Sequence, residues 1–336
     1  MASDLIGTST RRRLLGVAAG ATGVALATTV FHPAQAAAAI PGAGSSTQSA
    51  GGGPRSFSGG RTALELGGVS QGYLRSADGG DTFADVTVGE GGLKQIGAPK
   101  LDDFSVEFGF GLGLDFYLWI VGAVGGGEQP SKDGVILRTD LNGNVKSARG
   151  FQQARISELT IPACDAASKD SGYLTASFTP GLASDVTRTG QLAAAAPQKA
   201  WVTSNFKLQI DGLDCTKVGK IDSITIKRNI GDSNQVDYPN LGIVFAASTL
   251  ATWQSWFNDF VVGGNNGQAN ERNGHLTLLA SNGVTELAVL QLHHMGIYRL
   301  DPDNEPPTGA EAVQVARAEL YVEAMNFSTL GSYILT

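Results

Sequence analysis

Two adjacent histidines, His293 and His294, are the first candidates for metal chemistry in this 336-residue sequence. Imidazole nitrogens are common zinc ligands. Successive residues of a β-strand point to opposite faces of the sheet, so these two rings cannot readily share one ion. His275, on a neighbouring predicted strand, could join only one of them. We therefore predict surface or interface histidines and no metal site.

Two pairs of carboxylates are candidates for acid–base catalysis, namely Asp102 with Asp103 and Asp165 with Asp170. Such catalysis needs two carboxyl groups in different environments within one cleft. Both pairs lie in loop-like segments, where carboxylates are usually solvated. We predict no catalytic residues and no enzymatic activity.

The glycine-rich segments do not match nucleotide-binding motifs. Residues 122–127 (GAVGGG) follow a predicted helix and lack the Lys-Ser/Thr pair of a phosphate-binding loop. Residues 109–113 (GFGLG) do not have the G-x-G-x-x-G spacing, and the serines lack a surrounding G-x-S-x-G. We predict no bound cofactor.

Three tryptophans, Trp119, Trp253 and Trp256, could line a sugar-binding groove or pack in a core. Each belongs to an apolar stripe with the i, i+3, i+4, i+7 spacing of one helix face. The stripes are Phe116, Trp119, Ile120 and Ala123, and Trp253, Trp256, Phe257 and Phe260. Glycines follow both stripes, as expected at helix ends. This spacing favours two helices packed on sheets.

The composition indicates a folded chain rich in turns. There are 45 glycines, 42% hydrophobic residues and 16% charged residues, with a net charge of -7. The glycine content argues against a mostly helical fold, and the negative charge gives no basic footprint for nucleic acid. Cys164 and Cys215 show neither CxxC nor zinc spacing, and the sequence leaves their pairing open.

The N-terminus has the features of a twin-arginine signal peptide. Residues 10–15 (TRRRLL) precede a mild apolar run and then Ala34-Gln35-Ala36, an A-x-A cleavage site. We predict a signal peptide over 1–36 and a flexible Gly/Ser/Ala-rich leader over 37–60. The apolar run is too short for a stable membrane anchor. The expected location is extracellular or cell-surface, or periplasmic in a diderm host.

The rest of the sequence contains an internal repeat at a spacing of roughly 137–144 residues. Each copy opens with a strand and a tight turn, Gly67-Gly68 or Asp211-Gly212. The helix follows, and then two turn signals. Asp133-Gly134 and Asn142-Gly143 are matched by Asn273-Gly274 and Asn282-Gly283. Two more strands complete each copy, over 151–161 and 173–178, and over 290–300 and 320–327. We predict domains at 61–182 and 200–336, joined by a linker at 183–199.

Several segments resemble the tube proteins of long-tailed phages and of contractile injection systems. In the first copy they are LELGGV, DFYLWI, KDGVI, FQQARISELTIPACDAASKD and GYLTASF. In the second copy they are FKLQIDGL, WQSWF, RNGHLTLL and AELYVEAMNF. The second copy also carries extra segments at 229–239 and 301–309. The resemblance covers about 61–182 and 200–330.

This resemblance implies a mainly β fold (α+β), with two tandem tail-tube-like β-sandwich or barrel domains and one flanking helix in each. It implies a structural protein whose partner is itself, in a homotrimeric, pseudo-hexameric ring that stacks into tubes. Baseplate-like, sheath-like or cell-surface components are further expected partners. Two alternatives stay open: a secreted carbohydrate- or surface-binding module, and a genuine phage tail tube protein whose N-terminus only imitates a signal. A secreted hydrolase lacks its motifs.

Overall fold

The computed structural model describes residues 60–192, 201–231, 233–302 and 313–329. We refer to residues 60–192 as the first half and to the described residues from 201 to 329 as the second half. The predicted signal peptide and nearly all of the predicted leader lie outside the described residues. All described residues belong to one unit, Ser56–Thr336.

The fold is mainly β, and each half contains one α-helix. Helix α1 spans Leu114–Val124, and helix α2 spans Leu250–Phe257 with a π-helical continuation over Asn258–Val262. Three short 3-10 turns cover Glu90–Gly92, Ala247–Thr249 and Gln268–Asn270.

The first half contains twelve named strands within its described residues. These are β1 (Thr62–Leu66), β2 (Val69–Leu74), β3 (Ser76–Asp78), β4 (Thr82–Val88), β5 (Lys94–Leu101), β6 (Phe104–Phe108), β7 (Lys132–Thr139), β8 (Val145–Ile161), β9 (Cys164–Asp165), β10 (Ser171–Gly172), β11 (Leu174–Thr179) and β12 (Leu182–Asp185). β12 pairs with β8, so residues 183–185 of the expected linker belong to a sheet.

The second half contains eight named strands within its described residues. These are β13 (Trp201–Ile210), β14 (Val218–Ile221), β15 (Ile224–Arg228), β16 (Val236–Asp237), β17 (Leu241–Ala246), β18 (Arg272–Ala280), β19 (Glu286–Pro302) and β20 (Val315–Thr329).

Two large antiparallel sheets have corresponding strand orders. One contains β1-β7-β8-β11-β6-β3, with β2 beside β1, and the other contains β13-β18-β19-β20-β17-β14. Each order joins the opening strand, the two strands after the helix, a closing strand, the strand before the helix and a short early strand. β4 and β5 form a separate two-stranded sheet.

The core is one apolar cluster that draws on both halves. Trp119 packs on Phe178 with ring centroids 5.4 Å apart, and Trp253 stacks on Phe245 at 4.5 Å. Burying each such ring contributes about 2–3 kcal/mol. Both predicted helix stripes face this core, although Phe257 is only half-buried. The prediction of core tryptophans is therefore confirmed for Trp119, Trp253 and Trp256.

Two of the predicted turns are wrong, and the reason is the same in both halves. Asp133-Gly134 lies inside β7 and Asn273-Gly274 lies inside β18. The side chain of Asp133 accepts a hydrogen bond from the backbone N–H of Gln153 at 2.7 Å. Gln153 has a φ of 50° and is the bulged residue of β8. These dipeptides therefore stabilise a β-bulge, and not a turn.

Glycine is required beside each bulge because another backbone approaches closely. A Cβ at Gly134 would lie 2.4 Å from the carbonyl oxygen of Glu65, and a Cβ at Gly274 would lie 2.4 Å from that of Gln209. The turns at Asn142-Gly143 and Asn282-Gly283 connect β7 to β8 and β18 to β19, as predicted.

The predicted opening hairpin is present in the first half only. Gly67 and Gly68 have positive φ and connect β1 directly to β2. In the second half the turn at Asp211-Gly212 leads away from β13, and the next strand, β14, pairs with β17. At the start of β13, Trp201 and Val202 pair instead with β10 from the first half.

Candidate assembly interface

The second half extends the sheet of the first half. Strand β15 pairs antiparallel with the last four residues of β8, with Ile224 opposite Ile161 and Lys227 opposite Glu158. The Lys227 ammonium and the Glu158 carboxylate lie 3.8 Å apart. Residues 158–160 therefore have a strand on both sides, β11 and β15.

The first half extends the sheet of the second half in return. β9 pairs with β14, placing Cys164 opposite Ile221, and β10 pairs with β13, placing Gly172 opposite Trp201. β9 and β10 lie at opposite ends of the eight-stranded sheet, yet both come from one loop of the first half. Each half thus satisfies strand edges of the other, which would otherwise present unpaired backbone groups.

A buried arginine of the second half binds the end of α1. Arg228, 5% exposed, donates to the carbonyl oxygens of Gly122 at 2.9 Å and Ala123 at 2.8 Å, and also to that of Gly127. Burial lowers the pKa of this guanidinium. The last carbonyls of a helix lack intrahelical partners and carry partial negative charge, so a cation is well placed here.

Tyr238 completes this contact. Its hydroxyl donates to the carbonyl oxygen of Val124 at 2.8 Å. Tyr238 lies within residues 229–239, which the sequence indicated as an extra segment, and Arg228 directly precedes them. This segment therefore joins the two halves.

The corresponding edge of the second half has no strand beside it among the described residues. β19 has 17 residues, like β8, and pairs with β18 up to Met295. Beyond that point, residues 299–302 pair with β20 only. The side chains of Arg299 and Asp301 are 60% and 47% exposed.

The β4–β5 hairpin carries an unusual number of exposed apolar side chains. They are Phe83, Val86, Val88, Leu93 and Ile96, with exposed fractions from 46% to 81%. Single exposed apolar residues are ordinary, whereas five on one hairpin outside both large sheets are typical of a contact surface. We name this group the apolar hairpin surface.

The end of α2 is exposed where the end of α1 is covered. Val261 is 40% and Val262 73% exposed, just beyond α2. At the end of α1, Val124 is 1% exposed beneath Tyr238.

The three histidines have different hydrogen-bond partners, although His275 and His293 line the same surface cavity. The Nε2 atom of His293 lies 3.1 Å from the amide nitrogen of Asn326, while Nδ1 of His294 lies 3.1 Å from a carboxylate oxygen of Glu271. His275 interacts with Gln209 at 3.0 Å.

The sequence did not predict one cluster of carboxylate and imidazole groups. Potential ligand atoms of Glu271, His294 and Glu323 lie within 4.8 Å of one another. Tyr321 donates a 2.7 Å hydrogen bond to Glu271, and its pKa is raised to about 12 by burial and by this contact. Hydrogen bonds join Tyr321, Glu271 and His294, and Glu323 is the exposed third member of the cluster. His294 has a φ of 54° and lies at the bulge of β19, an irregularity that the strict alternation of a strand does not predict.

The carboxylate pairs serve local turns. An oxygen of Asp102 accepts from the backbone N–H of Asp103 at 3.0 Å, and Asp165 accepts from that of Ala167 at 2.9 Å. Asp170 accepts from the Ser168 hydroxyl at 3.1 Å.

Both cysteines are free thiols in the structure. Burial raises the pKa of Cys164 to about 12 and also raises the pKa of Cys215. Neither is thus an activated nucleophile.

Comparisons with known proteins do not assign a family. Neither a protein-family model nor a curated protein matches the sequence. The cap that terminates the tube of the anti-feeding prophage is 21% identical over 39% of this chain and 91% of its own, with a TM-score of 0.34. A chain of the sheath–tube complex of the PVC extracellular contractile injection system, in the extended state, is 19% identical over 40% of this chain and 94% of its own, also with a TM-score of 0.34.

The PVC sheath/tube terminator, also in the extended state, is 20% identical over 38% of this chain and 94% of its own, with a TM-score of 0.32. Likeness of this degree carries no conclusion about function. Separately, none of the helices in the described residues has the length and apolar character needed to cross a membrane.

Proposed function

We propose that this protein is a non-enzymatic structural protein that assembles into rings, and that the rings stack into tubes. Each chain contributes two tail-tube-like domains, so three chains complete a pseudo-sixfold ring. The observation that carries this proposal is the reciprocal sheet extension between the halves, in which β15 adds to β8 while β9 and β10 add to the second sheet.

The proposal that the halves are copies is supported by details that strand order alone does not require. In both halves the bulged residue has positive φ, and its backbone N–H donates a hydrogen bond to a side chain of the neighbouring strand. Asp133 accepts from the N–H of Gln153, and Asn273 accepts from the N–H of His294 at 3.1 Å. Chance similarity of two sheets would not reproduce these hydrogen bonds at matching positions.

A ring forms when each chain contacts the next chain in the same way as its own two halves contact each other. A contact that joins the front of one copy to the back of the next is heterologous, and it either closes into a ring or continues as a filament. The exposed edge of β19 and the apolar hairpin surface are the parts left over for this purpose.

Electron microscopy of the purified protein, together with its mass in solution, tests the proposal. We expect rings with the mass of three chains, and stacked rings at higher concentration. A protein that stays a monomer at high concentration would contradict the proposal. Glycan binding by such a monomer would favour the surface-binding alternative, which the burial of Trp119, Trp253 and Trp256 disfavours.

We also propose export by the twin-arginine pathway, on the strength of residues 10–15 and Ala34-Gln35-Ala36. Replacing Arg11, Arg12 and Arg13 by lysine should retain an uncleaved precursor in the cytoplasm, detected by its greater mass. Unchanged secretion of the variant would contradict the twin-arginine route, and a parent protein that stays uncleaved in the cytoplasm would favour the alternative of a genuine tail protein without a signal.

A further inference from the structure

We propose that the β4–β5 hairpin of one chain binds the second half of a second copy. There, residues 80–83, which lead into β4, add to residues 299–302 of β19, and the apolar hairpin surface covers Val261 and Val262 beside α2. This inference rests on the proposed function, since it identifies the surfaces through which the chains assemble.

The β4–β5 hairpin corresponds to the β15–β16 hairpin, which pairs with β8 within the same chain. β4–β5 lies between β3 and β6, and β15–β16 lies between β14 and β17. The two hairpins have the same register at the ends that lead into the next strand. Phe83 pairs with Lys100 shortly before β6 begins. Likewise, Lys227 pairs with Asp237 shortly before β17 begins. Within the chain, β15 pairs with the end of β8. Because β4 corresponds to β15, we expect the start of β4 to pair in the same way with the end of another long strand.

The receiving edge also has a counterpart that is visibly occupied. Residues 158–161 and 299–302 are the last four of two 17-residue strands, and both follow a bulge at a residue with positive φ. Each segment pairs on one side with the closing strand of its own sheet, β11 or β20. The other side of 158–161 is filled by β15, and that of 299–302 has no described strand.

The helix ends differ in a way that matches the two hairpins. The end of α1 offers carbonyl oxygens, and the second half supplies Arg228 and Tyr238 to them. The end of α2 offers Val261 and Val262, and β4–β5 supplies apolar side chains such as Phe83 and Val86. Burying apolar surface from both partners is the main favourable contribution to such an association.

Cysteine pairing tests the contact directly. By register, Phe83 should lie opposite Arg299 of the second copy, as Lys227 lies opposite Glu158 within the chain. Oxidation of the purified F83C/R299C variant should produce covalent multimers on non-reducing gels. The matched K227C/E158C variant should form its disulfide without a change in mass, and the parent protein measures the background from Cys164 and Cys215.

A pair of exposed valines tests the contact without cross-linking. Val262 and Val284 are 73% and 79% exposed in the second half. V262D should need at least tenfold more protein for half-maximal assembly, whereas V284D should assemble like the parent. Equal melting temperatures of both variants below the assembly concentration would show that V262D is folded.

The outcomes separate the two proposals. Rings of the parent, together with no interchain disulfide in F83C/R299C and normal assembly of V262D, would overturn the inference but leave the proposed function intact. A disulfide formed within one chain would overturn it too, since the hairpin would then bind its own β19. A parent that never assembles would overturn both.

Discussion

Strands β8 and β19 have the same length and the same kind of bulge, but their outer edges differ. The end of β8 is covered by β15, whereas residues 299–302 of β19 pair on one side only within the described chain. The comparison teaches that the exposed edge is not a general property of the fold. Among the described residues, the end of β8 has a hairpin of the other half beside it and the end of β19 does not.

The C-terminal ends of helices α1 and α2 also differ. Arg228 and Tyr238 of the second half bind the end of α1, whereas Val261 and Val262 at the end of α2 are exposed. A contact between chains at α2 would therefore depend more on apolar burial. Such a contact weakens on cooling, because hydrophobic stabilisation fades at low temperature.

The largest effect is expected from removing a core tryptophan. W119A and W256A should each lower the free energy of unfolding by about 3–5 kcal/mol, since both rings are fully buried and leave large cavities. Thermal melting followed by circular dichroism measures this loss. Similar losses would strengthen the correspondence between α1 and α2, and a parental melting temperature for either variant would contradict the core assignment.

The next largest effect is expected at the junction of the halves. R228A leaves buried helix carbonyls without donors and should cost about 2–4 kcal/mol of unfolding free energy. Denaturant titration provides the measurement. The control is R188A, which removes an exposed ion pair to Glu65 and should cost less than about 1 kcal/mol. Equal effects of the two substitutions would show that the hydrogen bonds from Arg228 to the end of α1 contribute little to stability.

A smaller, matched effect is expected at the two bulges. G134A and G274A should each destabilise by about 1–3 kcal/mol, because the added methyl meets a backbone oxygen that cannot easily move. G267A has open space and should be nearly neutral. A large effect in one half alone would show that the bulges are not equivalent.

The smallest effect concerns acid. Hydrogen bonds from Asn144, more than from any other group, lower the pKa of Asp140 to about 2. Its contribution to stability is thus present above the ordinary aspartate pKa and is lost as the pH falls from about 4 through about 2. In the second half Asn282 serves the matching turn without a charge. D140N should therefore flatten the acid dependence of the melting temperature, and an unchanged slope would contradict this assignment.

Local signals in the sequence predicted both helices, the opening strands and the long strands after each helix, but not the strands that directly precede the helices, β3 to β6 and β14 to β17. The tryptophan stripes identified both helices, and Asn142-Gly143 and Asn282-Gly283 identified the turns before β8 and β19. Asp133-Gly134 misled, because the same dipeptide suits a turn and a bulge, and only the partner strand distinguishes them.

The junction could not be predicted in the same way. β9, β10 and β16 have two residues each and carry no periodicity, and their pairing partners are distant in the chain. Arg228 looks like any strand arginine until the end of α1 is placed beside it. These features depend on how the halves meet, which no local pattern encodes.

The placement of β9 and β10 at opposite ends of one sheet has a consequence for the order of folding. Both strands are synthesised before the sheet that they border, and β8 must wait for β15 before its last residues gain a second neighbour. Contacts this far apart in sequence form slowly. We therefore expect neither half to reach its final structure during synthesis until the ribosome has passed residue 329.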